Sequence, residues 1–452
     1  SLAMGQSSTA LGNQSIAIGS ADVSATASGG GVNVTNYDAS TGTRAEADFA
    51  VAIGAQGKAT AESATAIGTK VLASGSKSVA VGSSANASAA NALAMGSDAV
   101  ASNTSSTAIG SNAQAAGQNS FAAGVGSRAT QTSSVAIGNA AIASDQSATA
   151  IGRSATATTS GGIAIGSGAQ ALATGAPIAI GQNAVVAATN NNGIAIGTST
   201  GTNAISGTDN STVGRLAGRY VSGNTNYVFG NNAGNFVTGH DNYAQGISGG
   251  RYVQGSQNVS VGYHVGQAVV GTANINMGYQ NSSADASVTL PTAAGSTAEV
   301  TGGQRVFGNN NLILGRDAGR NIGVGTLTVN NTGLLTGRTT TASSDNVILG
   351  TRANQFTTAN ALTTSNNVAI GTDSKASGGN AVAQGTQAVA SGASSIALGN
   401  GAQATGAQAL SIGTGNVVSG NNSGAIGDPN TVTGDGSYAL GNNNTISGNN
   451  TF

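Results

Sequence analysis

The chain has 452 residues, among them 71 glycines, with 7% charged and 3% aromatic residues and neither Trp nor Cys. Globular cores are built mainly from large aliphatics and aromatics, so this composition argues against ordinary globular domains, and the missing Cys excludes a disulfide scaffold and a thiolate metal site. A net charge of −1 removes the electrostatic case for nucleic acid, and no apolar run approaches the roughly 18 residues of a membrane span.

In chain order, glycines first fall at Gly5, Gly12 and Gly19, a spacing of seven. Residues 20–50 break the register with Thr26-Ala27-Ser28-Gly29-Gly30-Gly31 and then Arg44, Glu46 and Asp48. From Gly54 to Gly166 an apolar-Ala-apolar-Gly block recurs at every fourteenth position. Gly19 to Gly54 spans two and a half of these repeats, so coils are expected to continue beneath a loop. In Ser78-Val79-Ala80-Val81-Gly82 the side chains alternate with the strand period of two. Gly82 and the polar residues after it turn the chain, using positive φ. The midpoint position carries Asn103 and Asp145 but also Ala61, Ala89, Gln131 and Thr159, so not every midpoint turn can require positive φ. Short strand, turn, short strand, turn, stacked on itself, is a parallel β-roll.

Ala17, Ala52, Ala66, Ala80 and their equivalents up to Ala164 lie opposite the larger apolar residues. A solvated face should be polar and varied, so the Ala column implies close approach of another backbone. A coil this thin buries little alone, and we expect several rolls packed about a common axis. At about 4.8 Å per coil, some 25 to 30 coils would make a rod of about 120–145 Å.

From Gly214 to Gly278 the period lengthens to 16, with Asn226, Asn242, Asn258 and Asn274 four residues before each register glycine. Tyr220, Phe236 and Tyr252 form one aromatic column and Tyr227 and Tyr243 a second; stacked aromatics suit a wider core, a chain interface or an exposed stripe. Residues 279–306 and 321–345 break the pattern and read as excursions, either binding loops or tolerated insertions. The shorter period returns from Gly371 to Gly441. The expected organisation is a roll over 1–200 with its excursion near 20–50, a variant 16-residue roll over 201–365, and a second roll of the shorter period over 366–452. Residue 1 falls inside a repeat and Phe452 begins an unfinished strand, so the chain reads as cut from a longer protein whose signal and anchor lie outside.

The repeated Ser134-Val135-Ala136-Ile137-Gly138, Ser395-Ile396-Ala397-Leu398-Gly399 and the midpoint Ala402-Gln403-Ala404-Thr405-Gly406 resemble the YadA-like head of trimeric autotransporter adhesins. Ala425-Ile426-Gly427-Asp428-Pro429-Asn430 through Gly441 looks like the head region leading toward a neck. The resemblance covers 1–19, 51–200 and 366–452; the 16-residue section departs from it. It implies an all-β, left-handed parallel β-roll, a homotrimer, and a stalk and C-terminal outer-membrane anchor beyond these residues. It also implies exposure on the surface of a Gram-negative cell, with attachment to host matrix proteins, host cells, other bacteria or abiotic surfaces.

No catalytic, cofactor or metal constellation is apparent, and the chain is not expected to be an enzyme. His240 and His264 sit in different coils and read as turn or surface residues. Gly29-Gly30-Gly31 is not followed by the Lys-Ser/Thr of a phosphate loop, and calcium-binding nonapeptide and hexapeptide acyltransferase rolls have other periods. The charged feature that stands out is Gly214-Arg215-Leu216-Ala217-Gly218-Arg219, which recurs as Gly315-Arg316-Asp317-Ala318-Gly319-Arg320, with Arg251 and Arg352 in comparable turns. In a symmetric assembly Arg215, Arg219, Arg316 and Arg320 become rings of guanidinium groups that could pair across chains with Asp317, or hold an anionic ligand. The functional expectation is an adhesive head. Its rivals are a passive spacer carrying a distal tip and an ice-binding solenoid, the latter discounted because Thr9, Thr65, Thr107 and Thr149 are interleaved with Val and Ile.

Overall fold

In the narrow coils the backbone is forced to turn every seven residues, which limits each strand there to two or three residues. The computed structural model describes all residues except 22, 29, 30, 38–40, 204, 205, 282–285 and 295, and over 23–37 the backbone alone. The Gly29-Gly30 pair therefore lies outside the described residues. The chain divides into two compact units, Ser1–Thr198 and Ser199–Phe452.

In the first unit, three-residue strands such as Thr65–Ile67, Val79–Val81 and Leu93–Met95 pair in parallel, each in register with its equivalent in the next coil. Two-residue strands such as Lys58–Ala59, Leu72–Ala73 and Asn86–Ala87 form a second parallel ladder. Each coil is thus one rung of a long sheet and one of a narrower sheet. The alanines of both, Ala66, Ala80 and Ala94 against Ala59, Ala73 and Ala87, are fully buried. The expectation of a neighbouring backbone at the Ala column holds, but that backbone is the other half of the same coil, not another chain. With methyl groups alone between them the sheets lie too close for larger side chains. The bigger aliphatics are turned outward instead.

Gly82 shows why glycine ends each three-residue strand: its φ is +131°, and a Cβ there would lie 2.5 Å from the carbonyl oxygen of Gly96 in the next coil. Two residues later Ser84 takes φ 56°, and Lys77, Asn91, Asp98 and Ser105 repeat this left-handed conformation every seven residues. The midpoint residues, Gly75 included, do not. The first excursion contains an antiparallel pair, Val23–Ser28 with Gly31–Tyr37. Among the described residues no coil runs beneath it. Ile16–Ile18 pairs directly with Val51–Ile53, and Thr9–Ala10 with Arg44–Ala45.

The second unit begins with the wider coils. Tyr227–Phe229 stacks on Tyr243–Gln245, and Val237–Thr238 on Val253–Gln254, in steps of 16. Two extra residues per coil open the interior, which is filled by Val221, Val237, Val253, Val269 and Ile313 where the narrow coils use Ala. A buried asparagine ladder runs through it: the Oδ1 atoms of Asn226, Asn242 and Asn258 each accept from the backbone N–H and the Nδ2 of the asparagine one coil on. It continues through Asn311, Asn346 and Asn367. Beyond Asn367 the coils return to the narrow gauge and an Ala core.

Parts of the excursions at 279–306 and 321–345 are regular. Thr297–Glu299, Val324–Asn330 and Leu335–Thr341 form one three-stranded antiparallel sheet with Val324–Asn330 central. Its inner side chains, Val300, Leu327, Val329 and Leu335, pack with Phe236, Tyr252 and Phe307 of the roll.

Candidate binding surface

Strand alternation gives each unit two outward faces of different chemistry. In the first unit the long sheet presents Ile53, Ile67, Met95 and Ile137, all more than a third exposed. The narrow sheet presents Lys58, Asn86, Gln114, Arg128 and Gln170 in the same direction as Leu72 and Val100. In the wide coils of the second unit the long sheet carries exposed Tyr227, Phe229, Ile275 and Met277, whereas the opposite face is covered by the three-stranded sheet.

That cover decides the role of the first aromatic column. Tyr220, Phe236 and Tyr252 stack with ring centroids 4.6 and 5.0 Å apart, and Tyr252 is only 2% exposed. These rings are a core and not an exposed stripe. Arg305 ties the cover to the roll: its Nη2 donates to the Gly325 carbonyl at 3.1 Å, and its guanidinium lies 5.5 Å from the Phe307 ring centre. In the second column Tyr227 and Tyr243 are register partners, but the close ring contact is diagonal, Phe229 to Tyr243 at 6.1 Å.

The two arginine motifs occupy equivalent turns five coils apart, about 24 Å at 4.8 Å per coil, so one chain does not bring them together. Arg215 is exposed. Arg219 lies 5.7 Å from the Tyr220 ring centre. Arg316 is 3.6 Å from Asp317 in its own turn and 6.0 Å from the Tyr279 ring centre. Arg320 is half-buried, its backbone bridged to Gln355. Arg316 thus has both a carboxylate and an aromatic partner within the chain.

Sequence reasoning missed two further columns. Tyr263 and Tyr279 each follow a register glycine and stack at 4.9 Å, with Arg316 continuing the column; their shared place after Gly262 and Gly278 was the available signal. Asp317, Arg352 and Asp373 sit two residues after successive register glycines. Arg352 Nε and Nη2 donate to the two oxygens of Asp373, each at 2.6 Å. This fork holds the Asp373 carboxyl below its ordinary range, chiefly through the hydrogen bond, and raises Arg352 for the same reason.

His240 Nδ1 accepts from the Asn224 N–H at 3.0 Å, and His264 packs on Tyr263 at 3.9 Å. His240 therefore ties its turn to the preceding coil, and His264 packs within its own. Among the described residues no group of three or more His, Asp or Glu is placed to hold a metal ion, and no helix is long and apolar enough to cross a membrane.

Comparison with known families matches the YadA head domain repeat at residues 1–21, 45–70, 73–99, 101–169 by overlapping copies, 368–402 likewise, and 404–428. No curated protein matches the chain. The matched segments are the narrow coils of both units, and the wide coils with their cover fall between them. That family and fold are in general non-enzymatic, and together they support an adhesin-like role of the trimeric autotransporter kind. By their repeats and by the roll they build, the matched segments are YadA-like head repeats.

Proposed function

We propose that this chain is the adhesive head of a trimeric autotransporter, exposed on a Gram-negative cell. In this reading it attaches the cell to host matrix or host cells, to other bacteria or to abiotic surfaces through many repeated contacts. The observation that carries this reading is the two-faced roll. In each unit the long sheet leaves an apolar column uncovered, with Met95 43% and Tyr227 41% exposed, whereas the opposite face mixes polar and apolar residues or, in the wide coils, is covered by the chain itself. Apolar faces of this extent mark interaction surfaces. Three copies packed through the long sheets bury them and leave the narrow-sheet face, the turns and the three-stranded sheet outward for ligands. In that arrangement Arg215, Arg219, Arg316 and Arg320 recur threefold, so that weak contacts add through avidity.

The test has two parts. Light scattering of the purified chain should give the mass of three copies. Inert beads coated with it should be retained on collagen, fibronectin, laminin, host cells, glass or plastic, relative to blocked beads. Retention on none of these surfaces would sink the adhesive reading in favour of a spacer. Replacing Arg215 and Arg316 with Ser should weaken attachment to anionic surfaces while leaving the trimer intact; unchanged attachment removes the arginine rings from the account.

A further inference from the structure

We propose that a recess on the narrow-sheet face of the first unit binds an acidic saccharide. Lys58 occupies an outward position there, on the rung between Arg44 and Leu72. Lys70 stands in the adjoining turn, held at φ 57°, and Gln56 has the same place one coil earlier. With Thr41, Val71 and Leu72 these side chains line an open recess of about 290 Å³.

The distribution of charge within these coils is what points to a ligand. Among the described residues no carboxylate lines the recess. The acids of the same coils, Asp48 and Glu62, lie in the opposite turn, where Ser63 and Lys77 donate to their backbone carbonyls. Glu46 is taken up by Arg44, at 2.5 Å from its Nε. Among the described residues Lys58 and Lys70 make no ion pair. Arg44 and Lys58 are direct register partners, and like charges in that position are destabilising. The roll itself has no need of them, since the same column carries Asn86, Val100 and Gln114 further along. Three of the four lysines in the chain, Lys58, Lys70 and Lys77, fall within 58–77. Local cost without structural return is the mark of a site kept for something outside the chain.

The lining selects the ligand class. Two ammonium groups on flexible stems accept a carboxylate or a sulfate as point charges. The Gln56 amide can meet ring hydroxyls, and the half-buried Leu72 offers an apolar patch suited to the C–H face of a sugar. The volume is at the low end for small-ligand sites, about 300–1,000 Å³, which matches one sugar ring and not a folded partner. Because the recess is open, the saccharide chain can leave it on either side. The proposal rests on the adhesive reading for its biological sense, but soluble binding can fail while bead retention stands.

The test is calorimetric titration of the full assembled chain with a heparin-derived hexasaccharide and with oligosialic acid. Neutral dextran, inorganic sulfate and polyglutamate serve as comparison ligands. At least one acidic oligosaccharide should bind, with affinity falling at least tenfold in K58Q/K70Q and less than twofold in K77Q, whose site is the opposite turn. Matching thermal unfolding of parent and variants establishes that the fold is unchanged. The proposal is overturned if neither oligosaccharide binds, if K58Q/K70Q binds as well as the parent, or if neutral dextran binds equally. Polyglutamate binding as tightly would show a merely anionic patch, and sulfate alone saturating the recess would show an ion site; either result also overturns it.

Discussion

Replacing Asn258 with Ala cuts the asparagine ladder at its middle. Its Nδ2 donates to Asn242 Oδ1 at 3.0 Å and to the Gly271 carbonyl at 2.9 Å, and its Oδ1 accepts from the Asn274 backbone N–H at 3.1 Å and Nδ2 at 3.0 Å. Alanine removes all four bonds. Asn242 Oδ1 keeps the Asn258 backbone N–H, and Asn274 Nδ2 keeps the Gly308 carbonyl. The Gly271 carbonyl and the Asn274 N–H lose the partners just described. At ~1–3 kcal/mol for each buried polar group left unsatisfied, the expected loss is ~2–6 kcal/mol. In a solenoid each coil contacts only its neighbours, so the loss is local. Native-state hydrogen exchange at Tyr243, Val259 and Ile275, whose N–H groups bond to Asn258, Asn274 and Asn311, is the appropriate assay. Protection there should fall by about thirtyfold or more, at tenfold per 1.4 kcal/mol. Asn310→Ala, which removes one exposed bond to Asp345, should change protection less than tenfold. A change below tenfold in the Asn258 variant would refute the idea that the ladder holds the wide coils together.

Other substitutions test other parts of the argument. Ala140 is left-handed at φ 54°, a conformation that costs an L-residue roughly 1–2 kcal/mol, so Ala140→Gly should raise the thermal midpoint. Gly110→Ala should lower stability by at least ~2 kcal/mol at its strained φ, because the new Cβ would also meet the Gly124 oxygen at 2.6 Å; denaturant melts distinguish these signs. Tyr252→Ala should cost ~3–5 kcal/mol, as for other buried aromatics, and should open 335–341 to limited proteolysis. For Asp373, whose carboxyl is held low by Arg352, the stabilisation is present above the unfolded carboxylate value of about 3.9 and is lost as pH falls through the lower folded value. Asp373→Asn should therefore be less stable than the parent near neutrality, and the two should converge on strong acidification when melts are compared across that range.

The roll was legible because its physics repeats. Alternation within Val79–Val81, a glycine at every fourteenth position and the change to 16 near Gly214 all appear as strands, turns and coils. What depended on depth was not legible. The Ala column showed a close backbone, but whether that backbone belonged to the same coil turned on how far apart two short strands sit. The left-handed residue at every seventh position was hidden because Ser84, Lys77 and Ala140 adopt it as well as Asn91, Asn112 and Asp98. The three-stranded cover was hidden for a different reason. Its strands come from two segments separated by a return to the roll at Leu312–Arg316, and local sequence does not report pairing across such a gap. The arginine motifs were visible as repeats, but the Tyr279 ring that Arg316 meets comes from another coil.

That same cover sets an order of events during folding. Almost every other contact joins residues one coil apart, so coils can add in succession at little entropic cost, as loop closure grows only with the logarithm of length. The cover breaks this locality: the Leu335 N–H reaches Thr238 Oγ1 across 97 residues, and Gly333 lies against the Tyr220 ring. As the chain is made, Tyr220, Phe236 and Tyr252 emerge and stack long before the strand that will shield them exists. For that interval the growing roll presents a bare aromatic stack, which only the closing of the sheet covers.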